Sequence, residues 1–148
     1  MDKIGSFSGE YRWLSNFWPA QVHVYGEQYP SVEHAYQAAK STIPEVRESI
    51  RNMPKAADAK KVGKLITVRD NWTKISLKIM LYLLRQKFKN PSLKQKLIDT
   101  GSAEIIEGNW WNDTFWGVCN GLGENQLGKL ITLVREEIVN ESNARTSK

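Results

Sequence analysis

The apolar residues of this chain recur mostly at the helical period, and only one stretch alternates clearly in the manner of a strand. Ile75, Ile79, Tyr82, Leu83 and Phe88 fall near helical spacing behind Asp70, an N-cap candidate, which predicts the longest helix over 71–89. Leu127, Leu130, Ile131, Val134 and Ile138 repeat the pattern and predict a last helix over 125–139. By contrast, residues 21–25 (QVHVY) alternate and stop at Gly26, as a strand entering a turn does. Residues 103–106 are a second strand candidate. Nothing alternates as strand–helix–strand, which argues against a doubly wound sheet. The predicted class is a helix-rich α+β fold with short strands.

Local signals divide the rest. Ser31 is placed to cap a helix over 32–40, with Glu33 in its first turn. Thr42-Ile43-Pro44-Glu45 has capping-box spacing, and Pro44 suits a helix start. Pro54 is expected to open a further helix with Ala57, Val62, Leu65 and Ile66 inward. Asn90-Pro91 predicts another, carrying Leu93, Leu97 and Ile98. Residues 108–123 form an aromatic, glycine-rich loop, and 140–148 a polar, fraying tail. The 148 residues suit one domain, over 1–139, followed by that tail.

Cys119 is the only cysteine, so no internal disulfide forms. The first residues lack an apolar signal region, and no apolar run is long enough for a membrane span. A cytoplasmic protein without membrane partners is expected. The two histidines and one cysteine make a classical zinc site improbable, and no cofactor or metal is expected. The formal net charge of +5 is unevenly placed. Residues 51–96 hold thirteen basic side chains against Asp58 and Asp70, a local net charge of +11. Such a segment attracts phosphates and is a candidate nucleic-acid contact; a solvated helical face has the same composition.

Three constellations carry candidate chemistry. On a helix, Glu33, Tyr36, Gln37 and Lys40 fall at i, i+3, i+4 and i+7 and share one face, opposite a side rich in alanine. Second, Asn109-Trp110-Trp111-Asn112-Asp113-Thr114-Phe115-Trp116-Gly117 sets a carboxylate among rings. Its rings can stack on a base; alternatively, they dock into the core and Asp113 is a turn residue. Third, Gly121-Leu122-Gly123-Glu124-Asn125-Gln126-Leu127-Gly128 opens the last helix, where free amides can receive a phosphate.

Four separated blocks resemble the NADAR (YbiA-like) family in order and spacing. They are Leu14-Ser15-Asn16-Phe17, Tyr29-Pro30-Ser31-Val32-Glu33-His34-Ala35-Tyr36-Gln37-Ala38-Ala39-Lys40, Asp113-Thr114-Phe115-Trp116-Gly117 and Gly123-Glu124-Asn125-Gln126-Leu127-Gly128. The resemblance runs from Phe7 to about Arg135. It implies N-glycosidase chemistry. The family includes enzymes acting on phosphoribosylamino intermediates of riboflavin synthesis, and enzymes that remove ADP-ribose from guanine. By motif, Glu33, Trp72 and Asp113 resemble the family's active-site positions, and Lys40 its proposed Schiff-base lysine. Where some members carry a glycine-rich stretch with histidine and lysine, this chain has Val118-Cys119-Asn120-Gly121-Leu122.

The expected catalytic residues are therefore Glu33, Lys40 and Asp113, lining one cleft. The expected substrate contacts are Trp72, Arg12, Asn16, Tyr36, Gln37, Trp116, Gly117 and Asn125. Loss of a base from an anomeric carbon develops an oxocarbenium-like centre that a carboxylate can stabilise. The favoured substrate is ADP-ribose on guanine in nucleic acid, and the alternative is a small riboflavin-pathway intermediate. A non-catalytic ADP-ribose or nucleotide reader would not need Glu33 and Lys40 together.

Overall fold

The computed structural model describes residues 2–146. Backbone contacts part the chain into two compact units, Asn16–Lys87 and, together, Met1–Ser15 with Phe88–Lys148.

The first unit begins with a hairpin of β2 (Pro19–Val24) and β3 (Glu27–Ser31), following β1 (Lys3–Ile4) in the chain. Val22 faces Tyr29 and Val24 faces Glu27 across an antiparallel ladder. The connecting residues Tyr25 (φ 51) and Gly26 (φ 78) both take positive φ, as a two-residue turn of right-handed strands requires. Tyr25 is an unusual residue there. Its hydroxyl accepts from Arg69 Nη1 at 2.8 Å, and Arg47 lies 4.2 Å over its ring.

Four helices follow: α1 (Val32–Ala39), α2 (Pro44–Arg51), α3 (Ala56–Gly63) and α4 (Trp72–Lys87). Helix α1 is buried along its whole length and packs on β2, β3, α2, α3 and α4. Ala35, Ala38 and Ala39 let these neighbours approach closely. Ser31 caps α1 as expected, its hydroxyl accepting from the His34 amide at 3.1 Å. The capping box expected before α2 does not form. Ile43 is the N-cap, and Ser41 Oγ accepts the Ile43 amide instead.

Helix α3 starts two residues after Pro54 and turns a different face inward. Ala59 and Gly63 are buried, whereas Ala57 is exposed and Leu65 is 84% exposed. The helix ends at Gly63, so Leu65 lies past it and the helical phase assumed from the sequence does not reach it. On α4, Ile79 and Leu83 are buried as expected, but Tyr82 is half-exposed and Lys87 fully buried.

In the second unit a short 3₁₀ helix (Gly9–Leu14) follows β1, and α5 (Pro91–Asp99) is capped by Asn90, whose Oδ1 accepts the Ser92 and Leu93 amides. Strand β4 (Glu104–Ile105) pairs parallel with β1. The glycine-rich loop contains a second small parallel ladder, β5 (Gly108–Asn109) with β6 (Val118–Cys119). Helix α6 (Gln126–Thr146) packs on α5 and β4 through Leu127, Ile131 and Val134. It runs through most of the stretch expected to fray. There, Arg145 Nη2 meets Glu141 Oε1 at 2.9 Å with helical i, i+4 spacing. Among the described residues no helix is long and apolar enough to cross a membrane.

Candidate active site

Six of the sequence-predicted residues gather around α1. Glu33 stands in its first turn, where the helix dipole favours a carboxylate. Its amide donates to the Asn16 carbonyl at 3.1 Å, which ties the start of α1 to the segment leading into β2. The Glu33 side chain is only 7% exposed. One turn later Gln37 Nε2 donates to Glu33 Oε2 at 2.6 Å, a short charge-assisted bond that fixes the carboxylate's direction.

Gln37 is itself held by the absence of a side chain. A Cβ on Gly63 would lie 1.9 Å from Gln37 Oε1 and 2.5 Å from its Cδ, so only glycine lets α3 come this close. Gln37 Oε1 finds no hydrogen-bond donor and rests against that glycine backbone. Gly63 was not singled out from the sequence. A lone glycine within a helical pattern was the available signal, and close packing is one of its meanings.

Tyr36 and Trp72, the first residue of α4, form an aromatic pair with centroids 5.0 Å apart. Lys40 Nζ lies 5.6 Å from the Tyr36 ring centre. Burial lowers the Lys40 pKa; Glu33 opposes that effect and Lys64 adds to it. A lowered pKa enlarges the neutral, nucleophilic fraction of the amine. Asn16 is 8% exposed; its Nδ2 contacts Met80 Sδ at 3.6 Å, and its Oδ1 has no donor. His34 takes no part in this array. Its Nε2 donates to the Met53 carbonyl at 2.9 Å, so Nδ1 must accept the Ser31 hydroxyl proton at 2.7 Å.

Asp113, Trp116, Gly117 and Asn125 belong to the other unit, and so does Arg12, exposed on the 3₁₀ helix. Asp113 serves the loop as a turn residue: its Oδ1 accepts the amides of Phe115 (3.2 Å) and Trp116 (2.9 Å). Asn109, the first residue of that constellation, brackets it by accepting the Asp113 amide and donating to its carbonyl. Trp116 packs edge-on against Phe115 with centroids 4.9 Å apart. Gly117 is buried where a Cβ would meet the Glu107 carbonyl at 2.1 Å. Asn125 spends its side-chain amide on backbone, donating to Ile105 O at 2.9 Å and accepting from Glu107 N at 3.0 Å.

The phosphate-receiving role expected of the amides that open α6 is not available to them. Glu124, Asn125, Gln126 and Leu127 donate to the carbonyls of Thr114, Gly117, Phe115 and Trp116. The third and fourth blocks of the resemblance are thus two halves of one backbone clasp.

Fold and side-chain array together define a helix-rich α+β protein with a recessed carboxylate, an amide clamp, a lysine and a tilted aromatic pair. The NADAR domain family matches residues 6–139, and this chain belongs to that family. It is 34% identical over 142 residues to the N-glycosidase YbiA of Escherichia coli, covering 92% of this chain and 87% of that protein. It is 35% identical over 129 residues to the riboflavin biosynthesis protein VVA0006 of Vibrio vulnificus, covering 84% of this chain but only 35% of that protein's length. The NMR structure of Escherichia coli YbiA superposes with a TM-score of 0.82 at 32% identity, over 95% of this chain and 85% of that one. The helix-rich α+β class expected from periodicity is the class observed.

Proposed function

We propose that this chain is an N-glycosidase, a hydrolase of the bond between a ribose-type sugar and a base-like nitrogen. The observation that carries the reading is the buried Glu33 carboxylate, aimed by Gln37 and set on the same helix as Tyr36, with Lys40 at that helix's C-cap and Trp72 tilted against Tyr36. The C1′–N bond breaks with its electron pair going to the base nitrogen, which takes up a proton. Water delivers hydroxide to C1′. Glu33 is assigned the proton transfer and the stabilisation of the positive sugar centre. Trp72 is assigned to stacking on the base. In a second route the ring-opened sugar holds the base at C1′ as an imine; the neutral Lys40 amine adds to C1′ and expels the base as its protonated amine, and water then hydrolyses the Lys40 imine to free the sugar aldehyde and the lysine.

Glu33 is too recessed to meet a base held inside a duplex, so the substrate is either free or splayed out of its strand. Our reading is a free phosphoribosylamino compound, which the names of the Vibrio relative and of a 29% identical chloroplast riboflavin protein of Zea mays support. ADP-ribose on guanine in nucleic acid is the second reading. Its support is the basic segment, in which Lys55, Lys61, Lys64, Lys74, Lys78, Arg85, Lys89 and Lys96 are exposed. For Asp113, Arg12, Trp116, Gly117 and Asn125 the family resemblance and the sequence pattern are the support.

Base release from both substrates by wild type, Glu33→Gln and Asp113→Asn tests the proposal. Release from the free compound, abolished in Glu33→Gln, is the expected result. Release from neither substrate would overturn the N-glycosidase reading. Release only from the modified nucleic acid would replace the first substrate with the second.

A further inference from the structure

Helix α6 carries a buried arginine whose guanidinium forms no ion pair among the described residues. Arg135 is 7% exposed, and its Nη1 donates to Thr100 Oγ1 at 2.9 Å. That hydroxyl in turn donates to the Leu97 carbonyl at 2.6 Å. Among the described residues Arg135 forms no ion pair. Burial lowers its pKa, and exposed Glu136 opposes that effect. A guanidinium nonetheless stays charged and offers five N–H donors in a fork shaped for carboxylate or phosphate.

Thr100 is the C-cap of α5, so the negative end of that helix dipole accounts for one side of the guanidinium. Arg135 is also among the residues that line an open groove of about 640 Å³. None of the Arg135 nitrogens is among the fully buried unpartnered atoms, so those that Thr100 leaves unbonded keep some access to solvent. Lys129, Thr132 and Ser102 line the same groove, together with exposed Glu104 and Glu136. A volume of this size is ordinary for a small-molecule site. None of its lining residues is on α1. Asn125 is the one sequence-predicted contact among them, and its amide is already committed to backbone.

We infer that this groove binds a small ligand through a phosphate or carboxylate group seated on Arg135. Glu104 and Glu136 then select ligands that also carry hydrogen-bond donors, such as hydroxyls or amines. The inference does not depend on the N-glycosidase reading, because it rests on α5, β4 and α6 alone.

The test is an amide NMR titration of the whole protein with inorganic phosphate, against sodium chloride of matched ionic strength. Saturable shifts at Ser102, Lys129, Thr132 and the Arg135 side chain are expected. Binding should weaken by about tenfold or more in Arg135→Met, because a hydrogen bond to a charged group is lost. Ser102→Asp, an exposed change that adds a negative charge to the lining of the same groove, should weaken it comparably and keeps the test decisive if Arg135→Met fails to fold. Unsaturating shifts that chloride reproduces would overturn the proposal. So would binding that survives in Ser102→Asp, or shifts produced by a single-stranded oligonucleotide but not by phosphate.

Discussion

Gly63→Ala tests whether α3 positions the candidate catalytic carboxylate. The new Cβ would stand 1.9 Å from Gln37 Oε1, inside any allowed contact, so the Gln37 side chain must swing away. Its Nε2 then leaves Glu33 Oε2. A hydrogen bond to a charged group contributes about 1.5–3 kcal/mol. Against this, alanine gains up to about 1 kcal/mol over glycine in a helix. The difference predicts a net destabilisation of about 0.5–2 kcal/mol. The sign reverses when the obstacle is removed: in a Gln37→Ala background the same change should be neutral or stabilising. Urea unfolding of the four proteins gives the coupling, expected at about 1 kcal/mol or more. An equal cost for Gly63→Ala in both backgrounds would refute the reasoning. Gly63→Ala should also lower kcat while the far-UV spectrum stays native, because Glu33 loses the donor that aims it.

Glu33→Gln should fold normally and lose about 10²–10⁴-fold in turnover, the usual weight of a general acid–base group; turnover within a few-fold of wild type would remove Glu33 from the mechanism. Borohydride added during turnover should trap a sugar on Lys40, detected by mass spectrometry. With the Lys40 pKa lowered by burial, trapping should rise with pH and level off below the ordinary lysine range. No adduct, together with an active Lys40→Arg, would leave direct attack by water. Lys87 is fully buried, and burial lowers its pKa from 10.5 to about 7. Between those values the folded chain holds fewer protons than the unfolded one, so stability should rise with pH, by about 2 kcal/mol from pH 7 to 9. Lys87→Met should flatten that slope in urea titrations at the two pH values. Reversing several exposed charges between Arg51 and Lys96 should weaken salt-dependent nucleic-acid binding and leave turnover of a free compound nearly unchanged.

Much of the α1 array was legible because helical spacing is a local property: Glu33, Tyr36, Gln37 and Lys40 share a face whatever surrounds them. Its environment was not legible. A face of Glu, Tyr, Gln and Lys suggests solvent, yet α1 is buried from end to end: its alanines admit neighbours on one side, while Gly63 of α3 and Trp72 of α4 lie against Gln37 and Tyr36. Gly63 matters through a side chain distant in sequence, and a lone glycine in a helical pattern signals close packing without naming the partner. The inward faces of α3 and α4 were partly misassigned for the same reason: Leu65 and Tyr82 satisfied the period, but the chain turned Gly63 and Lys87 inward. In the Asp113 loop the composition left two meanings open. The geometry shows the turn role directly, with Oδ1 accepting two amides.

The clasp between residues 114–117 and 124–127 is made of backbone alone. Fastening of that kind is indifferent to which side chains its members carry. Thr114, Phe115, Glu124 and Gln126 are thus free to change identity without loosening α6, whereas Asp113, Asn109 and Gly117 are not. New preferences for a ligand can be written onto such a loop one substitution at a time, with little toll on folding. Insertions are a different matter: added length is absorbed between the two halves, around Asn120 and Gly121, and within either half it would slip every bond by one residue. The loop therefore behaves as a fixed buckle, and variation in length among related proteins should concentrate at its tip rather than within either half.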